Sequence, residues 1–129
     1  MSVLIKEKTE YTPRIVMDSN KHLIDIEGDS FPENTYDFYR PMMDWINSYF
    51  STVYNEITTV NIEINYFNSS SSQLFFDFFD ILEESVKNGS KIVINWIYVA
   101  KNESTLEAGE DFCEEFEILN INMIEKQVV

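Results

Sequence analysis

A strand, a helix and a second strand follow one another in the middle of the chain, and this order constrains the fold most. The segment "TTVNIEINYF" (58–67) alternates apolar and polar residues, which is typical of a strand with one buried face. A helical apolar stripe follows, and Gly89 suits the position just past the end of that helix. The segment "KIVINWIYV" (91–99) is the second strand. Two strands joined through a helix in this way are expected to be parallel, with a right-handed crossover.

The flanking segments add further strands and helices to this unit. Two apolar runs, 14–17 and 22–28, predict a hairpin, and the segment "ILNINMI" (118–124) predicts a closing strand. Helical stripes predict a helix before the central unit and another over about 104–116. We therefore expect an α/β fold, with a mixed sheet of about five strands and three helices mainly on one face.

Pro41 lies at the start of the first helical stripe and restricts that helix. Proline removes a helical hydrogen bond and clashes with the preceding turn, so it is poorly tolerated deep inside a helix. Either the helix begins near Asp37 and Pro41 lies in its early turns, or the helix bends at Pro41.

Length and charge limit the class of protein. The chain has 129 residues, which predicts one domain spanning 1–129, and 44% of them are hydrophobic, which is enough for a sizeable core. The net charge of −14 disfavours binding to nucleic acid or to anionic membranes. Cys113 is the only cysteine, and the apolar run at 3–5 is too short for a signal peptide. We therefore expect a cytoplasmic location.

No combination of residues predicts catalysis. His22 is the only histidine and is expected at the surface of the hairpin, whereas Cys113 is expected in the core side of the third helix. Neither has a partner that would make a nucleophile and base pair. The acids of the third helix are expected to be a solvated face. We expect no enzyme activity, no cofactor and no metal.

The run "NSSSS" (68–72) lies between the central strand and its helix, and three interpretations remain open. Asn68 or Ser69 can cap the helix with a side-chain oxygen. A phosphate-binding loop is a second interpretation, although the run has neither glycine nor lysine. Covalent phosphorylation is the third, because a phosphate in the first turn of a helix interacts favourably with the helix dipole.

Phe76 and Phe79 lie off the main apolar stripe of the helix that follows, among several acids. They belong either to a wide buried face or to an exposed aromatic patch that a partner would contact.

Four segments occur in an order and spacing that carry a family resemblance: "TEYTPRI", "GDSFPENTYDFYRPMMDWINSYF", "INYFNSSSSQLFFDFFDILEE" and "INWIYVAKNESTLEAGEDFCEEFEI". Their specific parts are "GDSFPEN" and "YFNSSS". Together they resemble the SiaC family of bacterial regulatory phosphoproteins, over about residues 9–118.

The resemblance implies a fold similar to STAS domains and a switch controlled by phosphate. In that family a hydroxyl at the start of the helix after a central strand is phosphorylated by a partner kinase and cleared by a phosphatase. The unphosphorylated form binds and activates a diguanylate cyclase. The acceptor follows the Asn of the "YFNSSS" motif, which implies Ser69 in this chain.

We therefore predict a non-catalytic regulatory protein with partner contacts at the serine run and the helix after it. The predicted contacts are Asn68, Ser70, Ser71, Phe76 and Phe79. The predicted partners are a kinase and a phosphatase that act on Ser69, and an effector protein such as a diguanylate cyclase. The alternative is a small-molecule or nucleotide-binding domain that uses the same serine run as an anion site.

Overall fold

The computed structural model describes residues 2–127, and this part of the chain contains six strands and three helices. In chain order they are β1 (Val3–Lys6), β2 (Arg14–Asp18), β3 (Leu23–Ser30), α1 (Thr35–Tyr49), β4 (Thr58–Phe67), α2 (Ser69–Lys87), β5 (Ile92–Val99), α3 (Glu103–Glu115) and β6 (Asn120–Lys126).

The strands form one mixed sheet in which their spatial order equals their chain order. The pairs β1–β2 and β2–β3 are antiparallel, whereas β3–β4, β4–β5 and β5–β6 are parallel. The predicted parallel pairing of the two central strands is confirmed, with Ile62 opposite Trp96. The helix between them begins at Ser69, directly after the strand and Asn68.

The expected number of about five strands was one too low, because β1 was not recognised. This strand has only four residues, and Val3 and Ile5 are exposed, so its apolar run resembles a solvated terminus. Pairing with β2 holds it at the edge of the sheet. A short edge strand is stabilised mainly by pairing with its neighbour, so its own sequence does not predict it.

The three helices cover one face of the sheet and enclose the core. Side chains from the sheet, among them Ile62, Ile94 and Trp96, are almost completely buried against the helices. Helix α2 contributes three phenylalanines to the same core: Phe75, Phe78 and Phe79. The mixed α/β fold with three helices mainly on one face is therefore confirmed.

The opposite face of the sheet carries a row of hydrogen-bonded polar side chains. Asp25, Asn61, Asn95 and Asn122 lie opposite one another on the four parallel strands. Their side chains are joined in sequence by hydrogen bonds of 2.8, 2.8 and 3.3 Å. These bonds satisfy polar groups on the face that lies opposite the three described helices.

Helix α1 begins close to the expected position near Asp37, and Pro41 lies in its early turns. Asn34 caps it by accepting a hydrogen bond from the amide of Asp37, and the first helical residue is Thr35. Pro41 consequently lies in the second turn. Pro41 and Asp37 are both exposed, so water can reach the Asp37 carbonyl that proline leaves without a helical donor.

Candidate functional site

The corner between β4 and α2 is held in place by Asn68. The Asn68 side chain accepts a hydrogen bond of 2.9 Å from the amide of Ser71, which caps the helix. The Asn68 amide donates a bond of 3.1 Å to the carbonyl of Ser30, at the end of the neighbouring strand β3. The helix start is therefore fixed to the sheet by backbone and side chain together.

Ser71 belongs to a buried chain of hydroxyl groups. Its side chain is 0% exposed and lies 2.8 Å from the Ser30 hydroxyl, which in turn lies 2.6 Å from the Tyr39 hydroxyl. Burial raises the pKa of Tyr39 above its ordinary value, and the hydrogen bond to Ser30 offsets only part of that increase. The three hydroxyls join β3, α1 and α2, so the role of Ser71 is structural.

Ser70 joins the first turns of two helices. Its hydroxyl lies 2.6 Å from the hydroxyl of Thr35, the first residue of α1, and donates a bond of 3.2 Å to Asn68. The starts of α1 and α2 are therefore adjacent, and Ser70 connects them at the surface.

Ser69 differs from both of these serines. It is the first residue of α2 and is exposed, and none of residues 2–127 forms a hydrogen bond with its hydroxyl. The first turn of α2 also contains no acidic residue. The favourable position for a negative charge at the start of this helix is therefore not filled by the protein itself.

Two depressions flank the corner. The first, which we call the aromatic groove, has a volume of about 740 Å³ and is lined by Thr9, Tyr11, Thr12, Phe31, Pro32, Glu33 and Phe38. The second, which we call the acidic cleft, has a volume of about 320 Å³ and separates the starts of α2 and α3. It contains Glu107 and Asp111 together with Tyr66, Ser72 and Asn102.

Of the two interpretations of Phe76 and Phe79, the wide buried face is correct for Phe79, so the predicted partner contact at Phe79 is wrong. Phe79 is 0% exposed and packs against Trp96, Phe112 and Phe116. Phe76 is half-buried against Phe112 and Phe116. Helix α3 covers this side of α2, which widens the buried face beyond the main stripe. Ser71 is also buried, so neither Ser71 nor Phe79 is accessible to a partner.

His22 and Cys113 also differ from expectation. His22 is not a free side chain at the surface of the hairpin. Its Nδ1 lies 2.6 Å from the Tyr49 hydroxyl, and its ring packs edge-on against Tyr54. Cys113 is half-buried rather than in the core, and burial, together with the nearby charge of Glu110, raises its pKa. A raised pKa lowers the fraction of reactive thiolate.

Among residues 2–127, no group of three or more His, Cys, Asp or Glu side chains is arranged to hold a metal ion. No helix in that same part of the chain is both long and apolar enough to cross a bilayer.

The sequence interpretation missed two features of the site. The hydroxyl chain depends on Ser30 and Tyr39, which are 41 and 32 positions from Ser71, and nothing in a local pattern pairs them. The aromatic groove was also missed, because its walls come from three parts of the chain: the loop before β2, the loop after β3 and the first turn of α1. The one sequence feature that could have indicated the groove is the segment "GDSFPEN", since it places Phe31 and Pro32 directly after β3.

Comparison with known proteins connects this chain with one family. The model of the SiaC family of regulatory phosphoproteins matches residues 6–126. An uncharacterised protein of Pseudomonas aeruginosa (strain UCBPP-PA14) is 30% identical over 115 residues, which are 89% of this chain and 90% of that protein.

Solved structures agree with this match. The crystal structure of apo-SiaC from Pseudomonas aeruginosa superposes with a TM-score of 0.88 at 27% identity, covering 96% of this chain and 99% of that one. SiaC in the crystal structure of the diguanylate cyclase SiaD with its activator SiaC, from the same organism, superposes with a TM-score of 0.88 at 27% identity. That match covers 95% of this chain and 99% of the other.

Proposed function

This chain belongs to the SiaC family of regulatory phosphoproteins, and we propose that it is a binding protein switched by phosphate on Ser69. It is a regulatory protein and not an enzyme. In the proposed switch, the form with a free Ser69 hydroxyl binds an effector protein, and the phosphorylated form releases it.

The observation that carries this proposal is the difference among the four serines. Ser70 and Ser71 have hydroxyl partners within the protein, and Ser71 is buried. Ser72 is half-buried in the acidic cleft. Ser69 is exposed, and its hydroxyl forms no hydrogen bond with any of residues 2–127. A kinase could therefore modify Ser69 without disrupting the packing.

A phosphate on Ser69 is compatible with the fold. It would lie at the start of α2, where free amide groups and the helix dipole favour an anion. The same phosphate would add up to two negative charges to a surface that already contains Glu107 and Asp111. A partner that covers Ser69 would have to bury those charges or pair them, and unpaired buried charge is costly.

The partners follow from this mechanism and from the solved relatives. A kinase and a phosphatase would act on Ser69, and the effector would be a signalling enzyme such as a diguanylate cyclase, by analogy with the SiaD complex of Pseudomonas aeruginosa. We place the protein in the cytoplasm, where such a kinase has access to ATP. Asn68, Ser70 and Phe76 remain candidate contacts at the edge of the corner.

Phosphate mapping and effector binding test the switch together. The chain would be isolated from its own cells with phosphatases inhibited, and mass spectrometry should place phosphate on Ser69. Binding to the diguanylate cyclases of the same genome should be lost in the phosphorylated protein and retained in Ser69→Ala. Ser70→Ala is the matched control and should still be phosphorylated. Phosphate that persists in Ser69→Ala would exclude Ser69 as the acceptor.

A further inference from the structure

We propose that the aromatic groove and the acidic cleft form one docking surface, which binds a protein segment with an apolar side chain and a nearby Lys or Arg. The apolar side chain would enter the groove, the cation would enter the cleft, and the segment would cross Ser69. This inference rests on the proposed function, because it specifies the chemistry of the partner that the phosphate would displace.

The aromatic groove is suited to an apolar anchor. Phe31 lies between the rings of Tyr11 and Tyr66, with ring centroids 5.3 and 5.5 Å away and edge-on geometry. Tyr11 is 53% exposed and Tyr66 is 56% exposed, although both rings are held by Phe31. Rigid, exposed aromatic rings around a depression are typical of the central contacts of protein interfaces.

The acidic cleft is suited to a cation. Glu107 and Asp111 are one helical turn apart on α3 and both line the cleft. Neither takes part in the five ion pairs found among residues 2–127. Two carboxylates without a counterion in a cleft attract Lys or Arg more than an isolated surface acid does, and the net charge of −14 acts in the same direction.

Tyr66 lies between the two depressions. Its ring packs against Phe31, which lines the groove, and Tyr66 itself lines the cleft. Ser69 follows Tyr66 by three residues and is the first residue of α2, one turn before Ser72, which lines the cleft. In the proposed mode of binding, a segment that fills both depressions passes over the Ser69 hydroxyl, and a phosphate there would obstruct it. Its cation would also be diverted from the two carboxylates to the phosphate.

Selection from a random peptide library displayed on phage tests this docking surface with the unphosphorylated full chain. The enriched peptides should combine a large apolar residue with a Lys or Arg a few positions away. One enriched peptide, synthesised and labelled, then serves as the probe for the variants. Its affinity should fall more than about tenfold in Tyr11→Ser, and by a similar factor in Glu107→Gln with Asp111→Asn.

Two control variants make the test specific. Tyr36→Ser removes an equally exposed tyrosine from α1 outside the groove, and Glu110→Gln with Glu114→Gln removes two charges from α3 outside the cleft. Both should bind the peptide within about twofold of the native chain. No enrichment of such peptides, or equal losses in the control variants, would overturn the docking surface.

The peptide-binding test and the test of phosphorylation on Ser69 can fail independently. Peptide selection requires no kinase, so a failure there rejects the docking surface while phosphate on Ser69 in cells would still support the switch. Conversely, peptide binding that depends on Tyr11 and Asp111, in a protein never phosphorylated on Ser69, keeps the surface and rejects the switch.

Discussion

The corner from β4 to α2 and the corner from β5 to α3 share one capping plan. In each, an asparagine side chain accepts a hydrogen bond from the amide three residues later: Asn68 from Ser71 at 2.9 Å, and Asn102 from Thr105 at 3.3 Å. In each, the residue that donates this bond is almost completely buried. These two corners therefore combine an asparagine cap with a small buried hydroxyl residue, whereas the Asn34 cap of α1 accepts its bond from the exposed Asp37.

The two corners differ at the first helical residue. Helix α3 begins with Glu103, which places a negative charge at the favourable end of the helix dipole, whereas α2 begins with the uncharged Ser69. The capping plan thus accounts for Asn68 and Ser71 but not for Ser69. A phosphate on Ser69 would give α2 the charge that α3 already has.

The largest expected effect concerns the seventh residue of each helix, which is Phe75 in α2 and Gly109 in α3. Phe75 is 1% exposed, so Phe75→Ala should lower the free energy of unfolding by about 3–5 kcal/mol through the lost burial and the cavity. Urea denaturation measures this change. Phe75→Leu is the control and should cost clearly less. Equal losses in both variants would contradict a size-dependent packing role.

At Gly109 of α3 we expect the opposite dependence on size: adding a side chain, rather than removing one, should lower the free energy of unfolding. A Cβ atom there would meet Trp96 Cδ1 at 2.5 Å and Met123 Cε at 2.6 Å, so α3 lies too close to the sheet for a side chain. Gly109→Ala should therefore lower the free energy of unfolding by about 1–3 kcal/mol, despite the better helix propensity of alanine. Ser104→Ala, at an exposed position, serves as the control. A stabilised Gly109→Ala protein would show that α3 can move outward freely.

Removing the caps tests whether the two corners are equivalent. Asn68→Ala and Asn102→Ala should each lower the free energy of unfolding by about 1 kcal/mol, because each leaves helix amides unpaired. Thermal unfolding followed by circular dichroism measures both. Asn68→Ser and Asn102→Ser retain a side-chain acceptor and should recover most of the loss. If only one of the two variants loses stability, the asparagine cap is not a main determinant of stability at the other corner.

The smallest expected effect exchanges the first residues of the two helices. Ser69→Glu should raise the free energy of unfolding by about 0.3–1 kcal/mol, and Glu103→Ser should lower it by a similar amount, through the helix dipole. Both changes should shrink at high salt. Ser69→Gln and Glu103→Gln separate charge from side-chain size. A destabilised Ser69→Glu protein would mean that the acids around the corner outweigh the dipole.

The sequence was sufficient to predict the central unit. Alternation in β4 and β5 and the cap at Asn68 are local signals, so the parallel pair and the start of α2 could be located. The burial of Phe79 could not be predicted in the same way, because α3 covers that side of α2 only in the tertiary structure. His22 was misjudged for the same reason, since Tyr49 reaches it from the end of α1.

The candidate site was predicted unevenly. Ser69 could be singled out by resemblance, but the sequence alone could not distinguish it physically from its three neighbours. That distinction requires Ser30 and Thr35, which bond Ser71 and Ser70 from distant parts of the chain. Four identical residues in a row carry one local signal, and tertiary contacts give each a different environment.

The polar row on the open face of the sheet has a direction. Each amide group donates toward the next strand, from Asn122 to Asn95, from Asn95 to Asn61, and from Asn61 to Asp25. An amide could point either way, but a carboxylate oxygen can only accept, so Asp25 at one end decides the orientation of all three amides. Changing that one acid to asparagine would remove the reason for a single orientation. The three amides would then be free to reverse together. Asn122 on the distant strand β6 would then accept a hydrogen bond from Asn95, to which it now donates one.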